Sequence, residues 1–407
     1  MDWSDTPEQA AFREKVRTLI ADRLPERYRE LAKSPHQGER IWEFDRKSDN
    51  PAHRKAAVEW ADALAEQGWV APHWPQEYGG AGLSPMELFI FNQELAASGV
   101  AAVGGSGVKM LGPTLILHGS PEQKARHLPK ILSGEAAWAQ GYSEPGAGSD
   151  LGSLSTSAVR DGDEYVINGQ KIWTSGAHTA DWMFALVRTD RDAPKHKGIS
   201  FLIYDIKTPG ITVRPLIDMR GNHYFNETFF EDVHIPAAGS VVGKENGGWY
   251  VAMTLLDFER SNISGAVEQR RALDALVEGI QPGGGVRDRA RTGESKTLRA
   301  EIADRYVETE IQFQFSFRII SMQNAGIVPN YEASTAKLYA SELQQRVART
   351  ATQVFGLYAN LAPGDPRAPM DGSYAMAYLT AVPATIRGGT SEVHRNIVAD
   401  RILGLPD

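Results

Sequence analysis

Residues 139 to 175 read AQGYSEPGAGSDLGSLSTSAVRDGDEYVINGQKIWTS. A glycine-rich turn, Gly141 to Asp150, runs here into a strand-turn-strand unit that reaches an aromatic residue, Trp173. The turn has no lysine, so it is not a P-loop, and its GxG spacing fails the dinucleotide pattern. Gly146 and Gly148 carry no Cβ, so the loop's N–H groups and hydroxyls are free to approach a flat polar ligand closely. Val166-Ile167 leads into Asn168-Gly169, a strong type I′ hairpin signal, and the returning segment Lys171 to Ser175 is predicted to lay an indole and two hydroxyls beside the loop. Any one of these pieces alone is better read as an ordinary turn, with Trp173 in a core. Together they offer an indole wall and loop N–H donors, which suit an isoalloxazine ring.

Working outward, the apolar period is two from about 137 to 240. Strands are predicted at 164–167, 182–187, 199–204, 211–214 and 226–230, separated by turns such as Asp161-Gly162-Asp163 and Thr208-Pro209-Gly210. Before this block the period is helical: Thr6 caps a helix that opens on Pro7, Asn50-Pro51 opens another, and 86–97 and 108–118 are apolar helices. Glu94, inside the first of these two, is expected to be a satisfied structural carboxylate. Helical period returns after Gly247-Gly248 and, with one break, lasts to the end. The fold class is therefore α+β: an N-terminal all-α domain over 1–136, a middle antiparallel β-domain over 137–243, and a C-terminal α-bundle domain over 244–407.

Composition narrows the function. A formal charge of −8 argues against nucleic acid as a partner, so a phosphate-bearing ligand would need local basic residues. The absence of cysteine excludes disulfides, thiolate metal sites and cysteine nucleophiles. No metal site is expected. The acidic, amphipathic start is not a signal peptide, and no apolar run is long enough to span a bilayer, so the protein reads as soluble and cytoplasmic.

In combination, GYSEPGAGSD followed by VRDGDEYVINGQKIWTS resembles the flavin-binding signature of the acyl-CoA dehydrogenase family. The resemblance covers nearly the whole chain and is strongest at 137–182 and 385–406. It implies that family's fold, with a C-terminal four-helix bundle, and FAD as cofactor. The implied reaction is α,β-dehydrogenation of an acyl-CoA thioester to the trans-2-enoyl-CoA, with electrons passing to electron-transfer flavoprotein. Tyr142, Ser143, Gly148 and Ser149 match loop positions at the flavin ring or phosphates, Trp173 and Ser175 match the indole and hydroxyl beside the ring, and Thr390 and Glu392 match positions at the adenine half. Gln353 and Gly356 match a pyrophosphate loop. Val108, Met110 and Leu111 correspond to acyl-pocket lining.

Most of the family places its base, a Glu, immediately before Gly-Thr near the C-terminus, but here Gly388 stands before Gly389-Thr390. A second branch carries the Glu on an earlier helix in a D-x-E-R context, which Asp257-Phe258-Glu259-Arg260 matches. The resemblance thus implies Glu259 as the catalytic base, Arg260 as its orienting partner, and the Gly389 N–H as a donor to the thioester carbonyl. A carboxylate in an apolar pocket has its pKa raised toward working pH, which suits proton abstraction.

The chain departs from the pattern at Arg289 to Ser295, where Arg-x-x-Phe-Gly is not recognisable, and at Leu357, which replaces the second Gly of Q-x-x-G-G. These departures bring it closest to the large subunits of pimeloyl-CoA dehydrogenase and of actinobacterial steroid side-chain dehydrogenases. A homotetramer, or a heterotetramer with a second acyl-CoA dehydrogenase-like subunit, is expected. A flavin monooxygenase or oxidase on the same scaffold is one alternative, which the D-x-E-R glutamate speaks against. A non-catalytic subunit is another, which Trp173, Ser175 and Glu259 speak against.

Overall fold

The computed structural model describes residues 4–33, 41–100, 102–256, 263–291 and 295–405. Helices Pro7–Arg23, Pro85–Ser98 and Pro121–Leu132 start on reciprocal caps. The hydroxyls of Thr6, Ser84 and Ser120 accept the third residue's N–H, and the side chains of Gln9, Glu87 and Gln123 take the cap's own N–H. Each has proline at its start, where the missing N–H costs nothing.

The chain forms two compact units. One comprises Met1–Glu39, Leu83–Ala101 and Arg260–Asp407. Its long helices Ile263–Ile280 and Lys296–Asn324 share a core with the earlier Pro85–Ser98: Phe89 and Ala96 pack with Ile263, Ala266, Val267 and Ile320. Helix Tyr331–Phe355 packs on the first two through Leu343, Ala351, Val354 and Phe355. Glu94 is buried in that helix and is satisfied as expected, accepting from Arg13 Nη1 at 2.5 Å and Arg17 Nε at 2.8 Å.

The other unit, Arg40–Gly82 with Ala102–Glu259, carries the sheet. Its strands are β1 Trp138–Gly141, β2 Ser157–Asp161, β3 Glu164–Lys171, β4 Trp182–Arg188, β5 Ile199–Asp205, β6 Ile211–Ile217 and β7 His223–Pro236. They run in the order β1-β4-β2-β3-β7-β6, with β5 also on β4. β1 lies parallel to β4, and β2 touches β4 in the same sense, so the sheet is mixed rather than wholly antiparallel. The cause is the crossover of residues 142–181 between β1 and β4, which returns the chain in the same direction. Tyr165, Ile167, Met183, Leu202, Phe230 and Val233 lie in the core of this unit.

The predicted hairpin at Asn168-Gly169 is not a turn. The β2–β3 reversal lies at Asp161-Gly162-Asp163, with Gly162 at φ 59°, and β3 continues through Asn168-Gly169. There the β3–β7 register shifts, and Gly169 adopts φ 145°. A Cβ at Gly169 would sit 2.7 Å from the Thr156 Cα, so only glycine passes. Asn168 and Asp232 clip the bulge: Asn168 Nδ2 donates to Asp232 Oδ1 at 3.0 Å, and the Asp232 N–H donates to Asn168 Oδ1 at 2.9 Å.

No helix among the described residues is long and apolar enough to cross a membrane. No cluster of metal-ligating side chains occurs among them either.

Candidate active site

The glycine-rich loop closes on itself. Glu144 and Ala147 exchange both main-chain hydrogen bonds at 3.0 Å, which makes Pro145-Gly146 the tip of a tight turn. No atom lies within 4 Å of where a Cβ would stand on Gly146 or Gly148. Protein packing therefore does not require the missing side chains, and the open space leaves room for a flat ligand. Ser149 is exposed and Ser143 half-buried. The Tyr142 ring is buried edge-on to Phe184 at 6.0 Å and Phe201 at 6.3 Å, so what this residue offers the loop is its main chain.

Beneath the loop lies an ion pair that the sequence did not reveal. Lys171, fully buried at the end of β3, donates to Glu144 Oε1 at 2.8 Å and to the Tyr142 carbonyl at 3.0 Å. Glu144, 6% exposed, also accepts from the Ser155 N–H at 2.7 Å, the Ser155 hydroxyl at 2.9 Å and the Thr156 N–H at 2.9 Å. Burial works to raise the Glu144 carboxyl, but the Lys171 charge and these hydrogen bonds outweigh it and hold it at about 2. Burial lowers the Lys171 ammonium to about 8 against the opposing pull of Glu144. The pair fastens the loop to the strand that leads into Trp173. The only sequence signal was a lysine inside a strand.

Trp173 is not a core residue. Its side chain is 58% exposed, its indole stands edge-on to Phe225 at 5.8 Å, and its backbone is left-handed at φ 59°. For a bulky residue that conformation costs on the order of 1 kcal/mol or more. Hydrogen bonds on both sides hold it: the Ile172 N–H donates to the Ser143 carbonyl at 2.9 Å and the Thr174 N–H to the Asn226 carbonyl at 3.0 Å. Ser143 and the Trp173–Ser175 segment are thus brought together. An exposed indole in strained backbone, next to an open glycine turn, is what an isoalloxazine-binding wall would present, and FAD fits the residues here.

Val108 and Leu111 are buried in this unit, within a π-helical turn Gly107–Leu111, and Trp74 Nε1 donates to the Val108 carbonyl at 3.1 Å. Of the candidate acyl-lining residues only Met110 is half-exposed.

In the helical unit, Gly388 and Gly389 are both left-handed, at φ 65° and 92°. Space around a Gly388 Cβ is open to 4 Å. Lys337 donates to the Gly389 carbonyl, and His394 Nε2 lies 3.1 Å from the Gly388 carbonyl. Burial and Arg387 lower the Lys337 ammonium from its ordinary value. Thr390 caps helix Ser391–Val398, accepting the Val393 N–H at 3.2 Å. Thr390 and Glu392 line one groove of about 420 Å³ with Glu342, Arg346, Arg349 and Arg395, a lining of mixed charge in which Arg395 is paired with Glu342. Gln353 is exposed near the end of Tyr331–Phe355, and Gly356 follows at φ 54°. The Arg291 N–H donates to the Val354 carbonyl at 2.8 Å, so the two segments that depart from the family pattern touch each other. Glu259 and Arg260 lie outside the described residues.

The acyl-CoA dehydrogenase N-terminal, middle and C-terminal domains match residues 6–135, 139–233 and 246–403. Acyl-CoA dehydrogenase IpdE1 of Mycobacterium tuberculosis is 35% identical over 401 residues, covering 97% of each chain. Among solved structures, the Tcur3481-Tcur3483 steroid ACAD is similar over 100% of both chains at 33% identity, with a TM-score of 0.82. The ChsE4-ChsE5 complex from Mycobacterium tuberculosis is similar over 100% of both chains at 33% identity, with a TM-score of 0.80.

Proposed function

Because this chain belongs to the acyl-CoA dehydrogenase family, with its helical, β and helical domains, and is an oxidoreductase, we propose that it dehydrogenates a bulky, steroid-bearing acyl-CoA thioester to the trans-2-enoyl-CoA. The observation that carries the reading is the exposed, left-handed Trp173 beside an open glycine loop. Tyr142, Ser143, Gly148, Ser149, Trp173 and Ser175 hold the ring half of FAD, and Gln353, Gly356, Thr390 and Glu392 the rest. FAD, when bound, supplies the β-hydride acceptor at N5 and the route of electrons to electron-transfer flavoprotein. Glu259 takes the α-proton and Arg260 orients it. The Gly389 N–H donates to the thioester carbonyl as negative charge develops there. Lys337, bonded to the Gly389 carbonyl, keeps this two-glycine stretch from turning away. The bulky acyl group is supported by the steroid ACAD relative. Assembly with a second acyl-CoA dehydrogenase-like subunit is supported by the two-component Tcur3481-Tcur3483 and ChsE4-ChsE5 relatives.

Anaerobic titration of the flavoprotein with a panel of acyl-CoA thioesters, including steroid side-chain thioesters, tests the reading at the flavin absorbance band. Bleaching by a steroid thioester, abolished in Glu259→Gln, is the expected result. No bleaching by any thioester would remove the dehydrogenase reading, and bleaching retained in Glu259→Gln would remove the base.

A further inference from the structure

The segment that follows β3 and carries Trp173 is bonded to β7 at two points: the Gly176 N–H donates to the Tyr224 carbonyl at 3.0 Å, and Thr174, next to Trp173, is clasped on both sides by one residue. Asn226, fully buried on β7, accepts the Thr174 N–H at its carbonyl at 3.0 Å and donates from Nδ2 to the Thr174 carbonyl at 2.9 Å. In a regular antiparallel pair two residues exchange main-chain bonds. Here, beside the left-handed Trp173, a bond to the Thr174 carbonyl comes from the side-chain amide. The peptide groups on both sides of Thr174 are therefore fixed by one residue, and those groups join Thr174 to Trp173 and to Ser175.

The amide is itself held. Asn226 Oδ1 lies 2.8 Å from His223 Nε2, and Nδ2 lies 3.2 Å from His178 Nδ1. An amide oxygen only accepts and an amide nitrogen only donates, so His223 donates through Nε2–H and His178 accepts at Nδ1. Turned over, the amide would set donor against donor at His223 and oxygen against oxygen at Thr174. The imidazoles stack at 3.8 Å and 22°, and the outer face of His178 lies on Phe44 at 5.8 Å. All these groups belong to the sheet-bearing unit.

We infer that Asn226 is the positioning residue of the flavin wall: acting through Thr174, it keeps Trp173 left-handed and its indole on the open face, so that the cofactor meets a preset surface. The inference rests on the FAD reading above. It is tested in the full chain with Asn226→Asp, which keeps the acceptor toward His223 and removes both donors, and with Asn226→Ala should a buried carboxylate prevent folding. Amide hydrogen exchange is expected to speed up about tenfold at 174–176, the scale of one lost hydrogen bond, while amides at 157–169 keep their rates. Equal acceleration across β2 and β3, or none at 174–176, would overturn it. The second readout is a double-mutant cycle on FAD affinity, followed by flavin fluorescence. The Asn226 variant is expected to weaken FAD about tenfold in the wild-type background and less than about twofold in Trp173→Ala. An equal loss in both backgrounds means Asn226 does not act through Trp173. A wild-type chain that takes up no FAD, with or without a partner subunit, overturns the flavin reading itself, while exchange at 174–176 reports the clasp independently.

Discussion

Trp173 holds a conformation that glycine would adopt without strain, and more than half of it is exposed. Trp173→Gly should therefore leave the stability of the flavin-free chain within about 1 kcal/mol of wild type, since relief of left-handed strain offsets the lost contacts, while FAD affinity falls by about tenfold or more. A urea titration of both chains checks the first half; a loss of several kcal/mol would make the indole structural. Lys171 sits at the opposite extreme. Lys171→Met leaves Glu144 charged, buried and without its cation, at a cost of about 3–5 kcal/mol, and Glu144→Gln added to it should restore a large part. The pH dependence has a definite sign. Glu144 is held at about 2, below its ordinary 4.5, so its contribution is complete above about 4.5 and is lost as pH falls toward 2. Acid unfolding followed by circular dichroism should shift less steeply with pH in the double variant than in wild type. Trp173 was read from the motif as an indole wall beside the loop, although a tryptophan beside a strand taken alone is as well read as core, whereas a lysine in KIWTS gives no hint of a partner 27 positions away.

At the level of elements, β4 and β5 were legible because near-unbroken apolar runs mark strands buried on both faces, whereas β6 and β7 were read only over 211–214 and 226–230 of their length. β1 was not, because four residues, WAQG, carry no period. Asn168-Gly169 misled for a physical reason. Turn preference is local, whereas β3 is held open by pairing with β7, and the left-handed freedom that would serve a hairpin serves a bulge instead. Gly169→Ala should accordingly cost more than a surface glycine replacement. The new methyl meets main chain at Thr156 in a backbone conformation that alanine avoids, so about 2 kcal/mol or more is expected in chemical denaturation. Gly162→Asn, at the true turn with nothing within 4 Å, should cost under about 1 kcal/mol because Asn tolerates left-handed backbone. Equal costs at the two glycines would reverse the assignment of bulge and turn.

For the whole molecule, the family and the order of helical, β and helical parts were readable from motif order, but which chain segments share a core was not. Pro85–Ser98 is separated from Ile263–Ile280 by the whole sheet in sequence, yet the two share a core. Surface chemistry carries the remaining prediction. Leu357, which the resemblance sets at the second glycine of a pyrophosphate loop, is 87% exposed, with Tyr358 also exposed beside it. A large apolar side chain so placed is unfavourable in water and gains by being covered. The proposed second subunit is the covering surface consistent with the two-component relatives. Leu357→Asp removes that gain and adds a charge that would have to be desolvated on assembly, without disturbing any buried contact of the isolated chain. Its thermal midpoint alone should stay within about 1–2 °C of wild type, whereas association with the partner, measured by sedimentation velocity on the mixed subunits, should weaken by about tenfold or more. Association of Leu357→Asp with the partner as tight as that of wild type across the titration would place Leu357 outside the interface.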